Sequence, residues 1–348
     1  MKKTLIITGG TGFIGSHTCV ELIKYYNLVV IDNLINSKKD IISKIENITK
    51  TNSMLFYEKD LCDKSELDKI FAKHEPYGVI HFAGLKSVNE SIQKPCHYYK
   101  TNIISTLNLL EIMEKYNCFN LIFSSSATVY GSGPCPFSNK SKIGMGITNP
   151  YGQTKYMIEC ILKDVCVSNT KWNIVALRYF NPIGAHPSGL IGENPNDIPN
   201  NLMPYILKVA IHNNTSHKLG TQYQKLKIFG NTYNTDDGTC ERDFIHVIDL
   251  AKGHLSAINK IHELSGYNYF NLGTGNPTSV LRLVKTFEEV NNVSIPYDIV
   301  EPREGDVEIS YCDPNNSYEI LNWKTELSII DMCHDAWNFQ LKSYKLDY

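Results

Sequence analysis

The chain has 348 residues, 42% of them hydrophobic, enough to fill sizeable cores and to form two domains or one large domain with an appendage. Lys and Arg total 34 against 36 Asp and Glu, a net charge of -2, so nothing in the charge balance suits a nucleic-acid backbone. Mean hydropathy is -0.23, and no apolar run approaches the ~18 residues of a membrane span.

The N-terminal Met1-Lys2-Lys3 starts like a signal peptide, but the apolar run after it is broken at Gly9-Gly10. It reads as a first strand, and the protein is expected to stay in the cytoplasm. Ten scattered cysteines form no Cys-x-x-Cys pair and no zinc-like grouping with His, so they read as reduced thiols and no metal is expected.

Strand-like runs at 5–8, 28–31, 54–57, 79–82, 121–124 and 174–178 alternate with helical patterns. Six buried strands separated by helix-length segments predict an α/β fold, a doubly wound parallel sheet of Rossmann type. Ile41, Ile42, Ile45 and Ile48 recur at helical spacing, as do Ile103, Leu107, Leu110 and Met113 after Pro95, which puts helices on both faces. Beyond about Phe180 the alternation fades into Pro, Gly and Asn, and a domain boundary is placed there. The expected division is 1–180, joined by part of 232–265, and an interleaved, smaller mixed α/β unit over 181–348.

Gly9, Gly12 and Gly15 sit between the first strand and a helix expected to run from Phe13 to about Tyr25. Gly9 permits the tight turn, Gly12 lets backbone N–H groups approach a pyrophosphate, and Gly15 lets the helix press on the strand. Asp32 closes the second strand 17 residues beyond Gly15, near the spacing of an acid that binds the adenosine ribose, and its charge favours NAD over NADP. Asp60-Leu61 and Phe82-Ala83-Gly84-Leu85-Lys86 follow the third and fourth strands, where open α/β sheets bind ligands. Asp60 could equally cap the helix expected over 63–74.

The fifth strand runs into Ser124-Ser125-Ser126-Ala127-Thr128. Tyr151 and Lys155 lie four apart on a helix beginning at Pro150, hence on one face. A phenol needs a pKa lowered from ~10 to ~7 to act as a base at neutral pH, roughly 4 kcal/mol at ~1.36 per unit. A neighbouring ammonium and a positively charged nicotinamide ring both favour phenolate.

This ordered set resembles the extended short-chain dehydrogenase/reductases and, among them, the nucleotide-sugar 4-epimerases. The blocks that carry the likeness include 9–18, 81–86, 124–131, 178–189, 198–205, 242–247, 271–273 and 303–306. The resemblance implies hydride removal from sugar C4 by tightly held NAD and its return to the opposite face, interconverting UDP-glucose and UDP-galactose with no net redox. It implies Tyr151 as acid/base on O4, Lys155 as its tuner and nicotinamide-ribose ligand, and Ser126 as a second O4 contact. Cofactor contacts carried over are Gly9, Gly12, Phe13, Ile14, Gly15, Asp32, Asn33, Asn36, Ser37, Asp60, Leu61, Phe82, Ala83, Gly84, Lys86, Asn102, Ser124, Tyr151, Lys155 and Tyr179. Substrate contacts are Ser126, Tyr151, Phe180, Asn181, Asn201, Leu202, Leu226, Phe229, Arg242, Arg303, Asp306 and Ser310.

The resemblance also implies a homodimer paired through helices before and within the Tyr151 segment. Ser310 aligns with a position where a bulky Tyr restricts the sugar pocket, so a Ser there implies that UDP-GlcNAc and UDP-GalNAc are also accepted. The alternative is that Ser310 merely caps a turn. The chain departs from the family in a longer polar segment over 213–225 and in Thr101, where many members have Asn and where Asn102 is expected to share the contact. Rival readings are a nucleotide-sugar 4,6-dehydratase, which needs an Asp-Glu pair where Ala127-Thr128 stand, and a non-catalytic NAD-sensing regulator.

Overall fold

The computed structural model describes residues 2–195, 199, 201–303 and 305–345. The expected blocks at 198–205 and 303–306 therefore include Ile198, Asn200 and Glu304, which lie outside the described residues. The first half runs β1 (Thr4–Thr8), α1 (Phe13–Leu22), β2 (Asn27–Asp32), α2 (Asp40–Thr49), β3 (Leu55–Glu58), α3 (Lys64–His74), β4 (Gly78–His81), α4 (Val88–Gln93), α5 (Pro95–Lys115), β5 (Asn120–Ser126), α6 (Pro150–Ser168) and β6 (Asn173–Tyr179). The second half runs β7 (Asn181–Ile183), α7 (Leu202–Asn214), β8 (Leu226–Phe229), β9 (Glu241–His246), α8 (Val247–Lys260), β10 (Gly266–Leu272), β11 (Pro277–Ser279), α9 (Val280–Asn291), β12 (Tyr297–Val300), β13 (Ile309–Ser310), α10 (Asn315–Leu321) and α11 (Ile329–Ser343).

Strand residues alternate between two apolar layers, as the period of two demands. Leu5, Ile7, Leu28, Val30, Val175 and Leu177 pack with α1, α2 and α8. Ile6, Val29, Ile31, Ile174 and Ala176 pack with α3, α5 and α6. Both faces of the sheet are thus covered. Its order is β10-β6-β5-β4-β1-β2-β3, and every pairing within it is parallel. The turn of strand order between β1 and β4 opens a crevice at the carboxyl ends, where doubly wound folds bind nucleotides.

Among the described residues the sheet has seven strands, not six. The seventh, β10, comes from far beyond residue 180, and α8 brings Leu250, Ala257 and Ile258 into the same core as β1 and β2. Polar, aromatic 266–272 lacks the aliphatic run of the other six, because its half-buried tyrosines face a charged network. The remaining elements build a third core from α7, α9, α11 and β8, with a small sheet around β9 and a β8–β12 pair. Two expectations change at helix level. Helix α1 ends at Leu22, short of Tyr25, and Leu107 on α5 is exposed while Leu110 and Met113 are buried.

Candidate active site

Helix α1 starts without a side-chain cap, because its N-cap is Gly12. Its first-turn N–H groups therefore remain for an anion, which the helix dipole also favours. Gly9 has φ +70°, and a Cβ there would meet Ala83 N at 2.7 Å; one at Gly15 would meet Gly9 O at 2.3 Å. Side chains at either place would fill the cradle that brings the β1 turn against β4.

Asp32 faces the same turn. Its carboxylate accepts from Thr11 N–H at 3.2 Å, Leu34 N–H at 2.9 Å and the Ser37 hydroxyl at 3.2 Å, leaving part of its acceptor capacity for ribose hydroxyls. Asp60 is not a helix cap: that place belongs to Asp63, which accepts from Ser65 N–H and Glu66 N–H. Asp60 accepts instead from Cys62 N–H at 2.8 Å and from the Asn33 amide at 3.0 Å. Burial alone would raise its pKa, but these hydrogen bonds outweigh it and hold the carboxylate below its ordinary range.

These residues line one cleft of about 820 Å³. Gly9, Gly12, Phe13, Ile14, Gly15, Asp32, Asn33, Asn36, Ser37, Asp60, Leu61, Phe82, Ala83, Gly84, Lys86, Ser124, Tyr151, Lys155, Tyr179 and Asn201 all border it. A cleft lined by an acid, an uncapped helix N-terminus and a phenol with a lysine offers partners for the ribose, pyrophosphate and nicotinamide ends of a dinucleotide.

Asn102 is not on the cleft wall. Its buried amide accepts from Leu85 N–H at 2.8 Å and donates to Leu85 O and Thr154 Oγ1, each at 3.1 Å. It holds the β4 loop in place, while Thr101 borders the cleft. Sequence reasoning missed Glu193, whose Oε1 accepts from Lys86 Nζ at 2.9 Å and from the Asn201 amide at 3.0 Å. No motif marks it; only the fold brings 86, 193 and 201 together. Burial would lower the Lys86 pKa, but the Glu193 charge outweighs it and keeps the ammonium above its ordinary range.

Helix α6 places Tyr151 and Lys155 at the cleft's inner end. Asn149 accepts from Gly152 N–H at 2.8 Å, and Pro150 sets the first turn. Lys155 Nζ donates to Ser124 O at 2.6 Å and lies over the Tyr151 ring, 5.9 Å from its centroid. Burial pushes Lys155 down to about 8, against a smaller opposing effect of Glu159. Burial also raises Tyr151 above its ordinary value; the Ser126 hydrogen bond and the Lys86 charge pull the other way and do not prevail. The chain alone thus keeps the phenol protonated, with the Lys86 charge favouring the phenolate and the Lys155 ammonium over the ring.

The other expected substrate contacts form a second group outside this lining. Ser126, at the end of β5, accepts from Thr128 N–H at 3.2 Å and from its hydroxyl at 3.0 Å. Phe180 is buried with Tyr130, Phe137 and Cys312. Asn181 pairs with Phe244, and Leu202 opens α7. Leu226 begins and Phe229 ends β8. The Arg303 guanidinium lies 3.8 Å from the Phe229 ring centroid, and its carbonyl accepts from Asp306 N–H at 3.2 Å. Arg242 Nη2 stands 3.6 Å from Asp306 and faces Ser310 across the β9–β13 register. The structure thus brings an aromatic face, two guanidinium groups and a small side chain together, the chemistry of a base and a diphosphate. The 213–225 segment folds back on α7, with Tyr205 donating to Gln222 O at 2.6 Å.

Residues 5–273 match the model of the "NAD dependent epimerase/dehydratase family". The chain is 46% identical over 337 residues to UDP-glucose 4-epimerase of Bacillus subtilis, covering 97% of this chain and 96% of that one. It is 48% identical over 338 residues to UDP-glucose 4-epimerase of Dictyostelium discoideum, covering 97% and 95%. Among solved structures, UDP-glucose 4-epimerase from Bifidobacterium longum in complex with NAD+ and UDP superposes with a TM-score of 0.92 at 44% identity, covering 98% of this chain and 99% of that one.

Proposed function

The chain belongs to the NAD dependent epimerase/dehydratase family, and on that premise we propose how its cleft works. It is an NAD-dependent enzyme that interconverts UDP-glucose and UDP-galactose by epimerisation at sugar C4. The observation that carries the reading is one proton-carrying phenol, Tyr151, lining the glycine-turn cleft together with Lys86, Ser124 and Lys155.

NAD, when bound, would supply a hydride acceptor and donor for C4 and a positive charge that favours the phenolate. The α1 N-terminus and Lys86 hold the pyrophosphate, Asp32 the adenosine ribose, and Lys155 the nicotinamide ribose. Tyr151 takes the O4 proton as C4 is oxidised and returns it as C4 is reduced; Ser126 orients that oxygen. Arg242 and Arg303 anchor the diphosphate, and Phe229 flanks the uracil, so the 4-keto sugar can turn while UDP stays fixed.

The unit over 1–180, joined by part of 232–265 and by β10, serves the cofactor, and the rest of 181–348 serves the UDP-sugar. Ser310 leaves space for an N-acetyl group, so UDP-GlcNAc and UDP-GalNAc are substrates as well. Ile104, Leu107, Met157 and Val167 are exposed on the packed helices α5 and α6, which supports pairing with a second copy there. The ten cysteines, five of them buried, suit a reducing cytoplasm, where we place the enzyme. The deciding experiment is incubation with UDP-galactose and chromatographic separation of UDP-glucose. A 4-keto-6-deoxy product would favour the dehydratase reading, and an unchanged substrate would sink catalysis altogether.

A further inference from the structure

We propose that Glu159, a fully buried carboxylate used in no step above, is a positioning residue for the same reaction. Its role is to fix the register between the helix carrying Tyr151 and Lys155 and the strand end carrying Ser124 and Ser126. The inference rests on the reading of Tyr151 as the acid/base.

Residues 151, 155 and 159 form one stripe along α6, each four residues apart. Each answers to a different one of three successive β5 residues: Lys155 donates to the Ser124 carbonyl at 2.6 Å, Glu159 accepts from the Ser125 hydroxyl at 2.5 Å, and the Ser126 side chain acts on the Tyr151 phenol, favouring its charged form. The three rungs are unequal. Tyr151–Ser126 must yield as a proton is exchanged with substrate, and Lys155 reaches its carbonyl on a flexible four-carbon stem. Only the Glu159–Ser125 rung has nothing to do but stay.

It is also the rung with the firmest footing. Glu159 Oε1 accepts from Ser125 and from Arg178 Nε at 3.0 Å; Oε2 accepts from Arg178 Nη2 at 2.6 Å and Tyr267 OH at 2.8 Å. All four acceptor sites of the carboxylate are filled. Arg178 stands in line with Ser125 on β5 and Asn271 on β10. It donates to Tyr130 OH at 3.0 Å and lies 3.9 Å from the Tyr269 ring centroid. The carboxylate is thereby tied to three strands at once.

Well-packed apolar side chains often stabilise as much as a buried ion pair does, so stability alone gives little reason for this one. Direction gives a better reason. A helix that slips by one residue moves about 1.5 Å, whereas reacting groups need to be held within about 0.5 Å. A close-packed apolar seam resists separation more than sliding, while a four-bond carboxylate resists both.

Two substitutions that each remove one neutral donor from the same carboxylate separate this role from a structural one. Ser125→Ala cuts the tie to the reactive strand; Tyr267→Phe cuts a tie to β10 and leaves that strand bound. On the NAD-loaded enzyme, Ser125→Ala is expected to lower kcat for UDP-galactose about tenfold with KM and UDP affinity unchanged. Tyr267→Phe should keep kcat within twofold while lowering the melting temperature at least as much. Wild-type kcat in Ser125→Ala, or equal kcat losses in the two variants, would overturn the inference. Wild-type protein that binds UDP but epimerises nothing would overturn the functional reading and this inference with it.

Discussion

Replacing Gly15 by Ala tests the cradle most directly. The new Cβ would stand 2.3 Å from Gly9 O and 2.8 Å from Gly10 Cα, both backbone atoms that cannot swing aside. Restoring an ordinary contact of about 3.5 Å moves the start of α1 off the β1 turn by roughly 1 Å. Overpacking costs about 1–3 kcal/mol, offset by about 1 kcal/mol of helix propensity, so the fold should lose at most ~2 kcal/mol. The cofactor should suffer more. A shift of that size breaks hydrogen bonds from first-turn N–H groups to a charged pyrophosphate, each contributing about 1.5–3 kcal/mol. Losing two weakens NAD binding by about 10² to 10⁴-fold. Gly12→Ala is the control: its Cβ meets only Gly9 O, at 3.3 Å, with φ at an ordinary -71°. That variant should melt like wild type yet carry less NAD, because its methyl group borders the cleft. The assay is acid extraction of nucleotide per chain after gel filtration, alongside melting temperature. A Gly15→Ala protein holding a full complement of NAD at the wild-type melting point would refute the reasoning.

Three further outcomes are expected. Tyr151→Phe should lower kcat at least 100-fold, within the range of about 10² to 10⁴ for a lost acid/base, with UDP affinity within threefold; retention of a tenth of wild-type turnover would make another group the base. Lys155 titrates near 8 when folded against 10.5 ordinarily, so its burial costs stability below pH 8 and that cost fades as pH rises to 10.5. At ~1.36 kcal/mol per unit, less the hydrogen bond to Ser124 O, Lys155→Met should stabilise cofactor-free protein by about 1–2 kcal/mol at pH 7, an advantage gone by pH 10.5; urea unfolding at both values decides, and a variant less stable at pH 7 contradicts the assignment. Ser310→Tyr should remove turnover of UDP-GlcNAc selectively while sparing UDP-galactose, and a wild type inactive on the acetylated pair would rule out the open pocket.

What the sequence revealed follows from the range of the interactions. The glycine turn, Asp32 and the Tyr151/Lys155 stripe were legible because each depends on neighbours a few residues away. Five of the six strands were legible because burial on both faces makes them continuous aliphatic runs; the sixth, edge strand β3, is half-exposed with Leu55 facing solvent and showed only as a short apolar stretch between helical patterns. β10 escaped because its tyrosines serve Glu159 and Arg178, partners about a hundred residues distant, and so break the aliphatic pattern. Glu193 escaped for the same reason. The bond from Lys155 to the Ser124 carbonyl was not legible, because spacing puts Lys155 on the Tyr151 face of the helix but does not say which oxygen the ammonium chooses. Asn102 belongs to the same class, its amide spent on the Leu85 backbone.

The late arrival of β10 also bears on how the chain is made. Between Tyr179 and Gly266 roughly ninety residues must leave the ribosome, about 5–20 s at ordinary synthesis rates. During that interval β6 has β5 on one side and no strand on the other. Residues 174–177 of β6 are wholly buried in the finished protein, and until β10 docks they form an apolar edge with unpaired N–H and C=O groups, a template for pairing with another nascent chain. The same strand carries Arg178, whose partner Glu159 is already present while Tyr267, Tyr269 and Asn271 are not. The most exposed moment in the life of this molecule thus falls before its seventh strand emerges, and polysome crowding or loss of chaperone cover would be felt there first.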